Sequence, residues 1–234
     1  MTWHRNDPAL YEKEKDEVEA HFPDLHFVVE NDIVYVRGSF PLMFEGRVLD
    51  RYSVELQLAR NHPAGLPVVR ETGGRIPRRL DRHILSNGTA CVLIPDERWR
   101  LWPVGSPLLK YLTGPLHSFF LAQATVEEGR PWPFGQWAHG ARGTFQFYRE
   151  MLDTTDLRVM TTYLDYLAAK KVKGHWPCPC RNGKRLRDCH FHQVKDLREK
   201  ISRKDAERSL SILRVAGESA IEMTEAKPST GTAT

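Results

Sequence analysis

The chain has 234 residues, 41% apolar and 27% charged, enough apolar character for one or two folded domains and too much for wholesale disorder. Its 34 Lys/Arg and 30 Asp/Glu leave +4 overall, which excludes a uniformly basic nucleic-acid-binding chain, and no run reaches the ~20 apolar residues that a membrane span needs. The opening Met1-Thr2-Trp3-His4-Arg5-Asn6-Asp7-Pro8 has no apolar core of a signal peptide, and the uneven placing of the four cysteines points to a reducing cytoplasm. The charge is unevenly spread. Residues 1–170 carry 20 Lys/Arg and 22 Asp/Glu, residues 171–214 carry 13 and 5, and the last 20 carry 1 and 3; the basic character belongs to one short C-terminal region.

Asp7-Pro8 reads as an N-cap with proline at the first helical position, and Ala9 to His21 reads as a surface helix with Leu10, Tyr11, Val18 and Phe22 as its apolar points. Strand signals follow at His26–Glu30 and Ile33–Arg37, separated by the turn pair Asn31-Asp32. From Arg51 to Leu58 the alternation is clean, with Tyr52, Val54, Leu56 and Leu58 on one face. One helix followed by an antiparallel meander of three or four strands defines an α+β domain.

From Asn61 to Pro107 the pattern loosens into a Pro/Gly-rich stretch, and loops of that length inside compact domains are usually functional. A short helix is expected from Leu112 to Ala124, with Thr113 as N-cap and Leu116, Phe119 and Phe120 on its apolar face. A second loop, Glu127 to Gly143, is rich in Gly, Trp and Pro and contains His139, which reads as part of a structural aromatic loop. Helices are expected at Gly143–Leu152 and Asp156–Lys171, and a charged helix from about Val194 to Val215. The Glu, Thr, Ser, Pro and Gly content of residues 218–234 marks a disordered tail.

Three of the four cysteines crowd into twelve residues, while Cys91 stands alone. A secreted disulfide framework would not leave that arrangement. Cys178-Pro-Cys180, eight residues, then Cys189-His190 supplies three thiolates and an imidazole, a set that satisfies tetrahedral zinc, with Asn182-Gly183 as the turn between them. With all four positions filled the site is expected to be structural, with ~10–16 kcal/mol of binding free energy available to fold a segment too short for a core. The fourth ligand stays open at this stage, because His192 and His175 lie close to His190.

The stretch Pro177-Cys-Pro-Cys-Arg-Asn-Gly-Lys-Arg-Leu-Arg-Asp-Cys-His190 resembles the SEC-C motif, first described at the C-terminus of the bacterial protein-translocation ATPase. The resemblance covers about fifteen residues and implies a zinc-bound module that docks other proteins. Arg181, Lys184, Arg185 and Arg187 would give it a basic face, or simply a solvated surface.

Cys91, taken alone, reads by default as a buried structural thiol, with a nucleophile as the alternative. Its surroundings say more. His83-Ile-Leu-Ser-Asn-Gly-Thr-Ala-Cys91-Val-Leu, followed by Trp99, Ser106-Pro107 and a helix, resembles the active-site region of ubiquitin-conjugating enzymes, and His62-Pro63-Ala64-Gly65-Leu66-Pro67 stands where that family has its Tyr-Pro-Phe-x-x-Pro segment. The likeness spans roughly residues 8 to 125. One departure is that the family's His-Pro-Asn tripeptide is replaced by Asp81-Arg82-His83, so His83 occupies the place of the asparagine. Its role remains open between oxyanion donor, general base for the incoming amine, and loop-ordering residue. Arg82 and His83 would favour a Cys91 thiolate and Asp81 would oppose it.

The resemblances together imply an α+β, UBC-like antiparallel meander sheet with flanking helices over residues 1–152, a helical connector at 153–174, a SEC-C zinc module at 175–193, a charged helix at 194–217 and the tail. The implied catalytic residues are Cys91 and His83, and the implied zinc ligands are Cys178, Cys180, Cys189 and His190. The implied activity is transfer of a ubiquitin-like protein, carried as a Cys91 thioester, to an amine on a target protein. The expected partners are that ubiquitin-like protein, a separate activating enzyme and a target, for instance a cGAS-like nucleotidyltransferase, in a bacterial anti-phage operon of CBASS or ubiquitin-like-conjugation type. Neither a membrane nor a nucleic acid is among the expected partners, a nucleic-acid role for the +8 segment being only a further alternative. The alternatives are a noncatalytic zinc-dependent scaffold and a Cys–His hydrolase that removes modifiers.

Overall fold

After a single turn, α1 (Trp3–Asn6), the Asp7 carboxylate accepts the Leu10 N–H at 3.0 Å and starts α2 (Pro8–His21), as the Asp-Pro pair demands. The computed structural model describes residues 2–133 and 140–225, with side chains as far as residue 217. It divides into two units, Met1–Gln136 and Trp137–Thr234.

The first unit is an α+β domain. Strands β1 (Leu25–Glu30), β2 (Ile33–Phe44), β3 (Arg47–Gln57) and β4 (Val68–Glu71) form one antiparallel sheet in sequential order. Asn31 and Asp32 both take positive φ (49° and 59°), the primed turn that matches strand twist. The turn register seats Tyr52, Val54 and Leu56 on the buried face, as their alternation requires. At Gly38 the chain passes so close to β1 that its φ is +143° and Ser39 N–H donates to Asp24 O at 3.0 Å.

Phe120 fills the centre of the core, stacked on Tyr52 (4.4 Å) and tilted against Phe40 (5.5 Å). Burying each such side chain stabilises by about 1.5–3 kcal/mol. Glu14 is a polar member of the same interior: Oε2 accepts Leu108 N–H at 2.7 Å and Oε1 lies 3.4 Å from His62 Nε2. The expected long loop from residue 61 to 107 contains β4, two 3-10 turns (Leu80–Arg82 and Pro95–Glu97) and α3 (Arg98–Leu101). Buried Arg98 fastens it, donating to Trp102 O (3.0 Å), Pro63 O (2.6 Å) and Ala64 O.

The next helix departs from expectation. It starts at α4 (Leu108–Tyr111), passes through a π-turn at Leu112–Leu116 and continues as α5 (His117–Glu127). Thr113 is inside it, its hydroxyl donating to Leu109 O, and is not an N-cap. Pro115 offers no N–H to the ladder, and the widened turn absorbs it without ending the helix.

The second unit holds α6 (Ala141–Leu152), α7 (Leu157–Ala168), α8 (Phe191–Lys200) and α9 (Arg203–Glu225). Helix α6 packs against α7 and α9, so the break between units lies before it, at 136/137, and not at residue 152. The expected single charged helix is two. Ser202 Oγ accepts the Asp205 N–H at 3.1 Å and donates its hydroxyl to the Asp205 carboxylate at 2.6 Å, an N-cap that begins α9. Helix α9 runs to Glu225, through the start of the expected tail; residues 226–234 and His139 lie outside the described residues.

Arg198 of α8 reaches the end of α7, donating to Tyr166 O (2.6 Å), Leu167 O (3.0 Å) and Ala169 O (2.7 Å). These are carbonyls that a helix leaves without intrahelical partners, and a cation there also meets the favourable end of the helix dipole. Arg198→Ala is expected to cost about 2 kcal/mol and to speed amide exchange in the last turn of α7. Unchanged exchange there would refute the capping role.

Candidate functional site

Cys91 closes a small flap. The 3-10 turn at Leu80–Arg82 ends in His83, held at φ +52°. The chain then forms a tight loop in which Leu85 N–H donates to Thr89 O, Gly88 (φ +82°) N–H to Leu85 O and Thr89 N–H to the Asn87 side chain. Isolated bridges pair Ile84 with Ala90 and Arg70 with Thr89, and Ala90 N–H donates to Val69 O, which lays the flap along β4. Cys91 N–H then donates to His83 O at 2.8 Å. The two residues that are eight apart in sequence are thus adjacent through the backbone. The Cys91 thiol is free and half-buried.

Helix α5 and the residues after it anchor this flap. Arg82 Nε donates to Gln123 Oε1 at 2.9 Å while Gln123 Nε2 returns a bond to Arg82 O at 2.6 Å, and Arg82 Nη2 lies 3.5 Å from Glu127. The His83 imidazole packs at a tilt against Trp132 with centroids 4.3 Å apart, and Trp132 rests edge-on against Phe119. Arg75 bridges Asp50 and Glu127 and lies over the Tyr52 ring. Gln123, Glu127, Trp132 and Arg75 are the positioning residues that the sequence did not single out. Gln123 carries the one readable signal: a polar side chain with no solvent exposure on an otherwise apolar helix face needs a partner.

The electrostatics differ from the expectation for Cys91. Arg82 is engaged by Gln123 and Glu127, Asp81 by Arg79, and burial raises the Cys91 thiol above its ordinary value. The cause is desolvation, which penalises the thiolate.

The second cluster is a candidate metal centre. Pro177 pairs with Arg185, Cys178 N–H donates to Lys184 O and Leu186 N–H to Trp176 O, forming a short ribbon. Its tip is turned by Arg181 (φ +60°) and Gly183 (φ +81°), with Lys184 N–H bonded to the Asn182 side chain. A 3-10 turn at Leu186–Asp188 returns Cys189 and His190 to the same point, where α8 begins. One donor atom from each of Cys178, Cys180, Cys189 and His190 lies within 4.8 Å of all the others. Donor–donor distances run from 3.1 Å (Cys178 Sγ and Cys189 Sγ to His190 Nδ1) through 3.4 Å (Cys178–Cys180) to 3.7 Å (Cys180–Cys189). A tetrahedron of zinc–sulfur and zinc–nitrogen bonds has edges of about 3.5–3.8 Å, so the residues fit such an ion with small adjustments. Asn182 Nδ2 donates to Cys189 Sγ at 3.1 Å, an outer contact that steadies one ligand. His190 completes the set; His192 and His175 do not enter it. Tyr163 shores up the site, its ring beside His190 and its hydroxyl on Gln193.

No protein-family model matches this chain, and neither curated proteins nor solved structures yield a match. No helix among the described residues is long and apolar enough to cross a membrane.

Proposed function

We propose that the first unit is a UBC-like carrier domain in which Cys91 accepts a ubiquitin-like protein from a separate activating enzyme and passes it to an amine. One observation carries this: a free thiol closes a flap that is laid on the last strand of a helix–meander–helix domain and is joined by its backbone to His83. In the first step the Cys91 thiolate attacks the thioester carbonyl at the modifier's C-terminus, and the activating enzyme's thiolate leaves. In the second an amine attacks the Cys91 thioester, the Cys91 thiolate leaves, and the amine's proton passes to His83 or water. Trp132 and Gln123 keep His83 and Arg82 in place during both steps. The second unit carries a structural zinc ion on Cys178, Cys180, Cys189 and His190, in the manner of a SEC-C module, and zinc there supplies folding energy and no catalysis.

The test is Cys91→Ser expressed with its cognate activating enzyme and modifier. Serine is expected to trap the modifier as an oxyester, seen by intact mass and released by hydroxylamine, and Cys91→Ala is expected to carry nothing. Because burial raises the thiol, single-turnover loading of the native chain is expected to climb about tenfold per pH unit from pH 7 to 8.5 without a plateau. A plateau below pH 8 would show an activated thiolate instead.

The raised thiol also favours a second reading, a scaffold in which Cys91 is inert packing. That reading predicts no adduct on Cys91→Ser with an active activating enzyme present, and a phenotype lost on Cys178→Ser but kept in Cys91→Ala.

A further inference from the structure

Between residues 170 and 188 the chain carries seven Lys/Arg and a single carboxylate, Asp188. The metal-site fold gathers them. Arg187 N–H donates to Gly174 O and Leu186 N–H to Trp176 O, so the chain at 174–176, just after Lys173, runs beside the basic strand of the ribbon. Lys170, Lys171, Lys173, Arg181, Lys184, Arg185 and Arg187 are all exposed. Among the described residues only two of them have acidic neighbours, both distant: Arg181–Asp156 at 3.8 Å and Arg187–Asp188 at 3.6 Å. A dication held by three thiolates leaves one negative charge beneath this surface, too little to cancel it.

The surface is also devoid of apolar grip. The large exposed hydrophobic side chains of the described residues lie elsewhere, at Phe44, Val48, Leu49, Leu80, Val104 and Val215 among others, and none lies between 170 and 200. A protein partner needs an apolar centre to bury; a phosphodiester backbone needs only cations spaced along it. Trp176, the one aromatic residue in the ribbon, is half-buried against Tyr166 (5.0 Å), which leaves no platform for base stacking.

We propose that the basic surface built on the metal-site ribbon binds the sugar-phosphate backbone of nucleic acid without regard to sequence. The surface is independent of the chemistry of Cys91, and its test needs neither modifier nor activating enzyme. Metal-loaded full-length protein is titrated into fluorescein-labelled 20-mers of single-stranded RNA, single-stranded DNA and duplex DNA, with anisotropy as the readout. Binding is expected in the micromolar range at low salt. Contact with about four phosphates of a single strand gives a log–log salt slope near −3, roughly a 50-fold loss of affinity between 50 and 200 mM salt.

Lys184→Glu, Arg185→Glu and Arg187→Glu together are expected to weaken binding at least tenfold. The equally charged reversal Lys13→Glu, Arg47→Glu and Lys110→Glu is expected to stay within threefold of the native chain. Metal content and thermal midpoint are measured on both variants to exclude misfolding. Equal affinity for scrambled sequences supports backbone recognition, and preference among the three probes identifies the form of nucleic acid. Absence of salt-dependent binding, or a ribbon variant that binds like the native chain, overturns the proposal. Binding to polyglutamate as tight as to nucleic acid overturns it as well, in favour of an acidic protein partner.

Discussion

Removing the metal is expected to unfold the ribbon and loosen α8 while the first unit stays folded. The ribbon buries Leu186, and α8 adds Val194 and Leu197, three apolar side chains that are too few to hold some twenty-five residues in order, whereas ligation by three thiolates and an imidazole would tie the ribbon to the start of α8. Chelation, or Cys178→Ser, should therefore abolish amide protection from residue 174 to about 200, and elemental analysis should find one zinc per native chain. The sheet of the first unit has its own core around Phe120, Tyr52 and Phe40, and its exchange should be unchanged. Full protection of the ribbon in metal-free protein would mean that the cysteine cluster is not a metal site.

Gly38→Ala is expected to be the most damaging single change in the first unit. An added Cβ would lie 1.8 Å from Asp24 O, a backbone atom that cannot swing aside, and φ of +143° is itself strained for any L side chain. Relief requires β2 to separate from the chain entering β1, breaking the Ser39 N–H bond to Asp24 O. Overpacking and backbone strain each cost about 1–3 kcal/mol, so a loss of about 3 kcal/mol or more is expected in urea denaturation. A variant within 1 kcal/mol of the native chain would show that the close approach at Gly38 is dispensable. Ala substituted at Gly46, where φ is also positive but nothing lies within 4 Å, isolates the conformational part of the cost.

The sequence announced those elements whose signals are local. Asp7-Pro8, Asn31-Asp32 and the alternation from Tyr52 to Leu58 act through their own backbone or one neighbouring strand, and they formed what their chemistry dictates. The metal cluster was legible for the same reason, because its ligands are close in sequence; the choice of His190 over His192 required the geometry of the Leu186–Asp188 turn. The flap was less accessible. That Arg82 would be engaged by Gln123, forty-one residues away, and that Trp132 would pack against His83, are facts of tertiary packing. Reading Arg82 as a cation for Cys91 did not foresee that Gln123 and Glu127 would engage its guanidinium. The break between α8 and α9 was readable, because Ser202 is a good N-cap residue three positions before Asp205. Thr113 carried a false cap signal, since a π-turn lets the helix that begins at Leu108 pass through Thr113 and Pro115.

The short span of the metal ligands also bears on the order in which the second unit assembles. Cys178 and His190 are twelve residues apart, and a loop of that size closes on the order of 10–100 ns. The ribbon can therefore form before any distant part of the chain has found its place, with metal supply and not chain diffusion as the slow variable. Once His190 is fixed it starts α8, and eight residues later Arg198 arrives at the end of α7, the segment synthesised just before the ribbon. With an ion bound there, nucleation of this unit is expected to run outward from the ribbon in both directions along the chain.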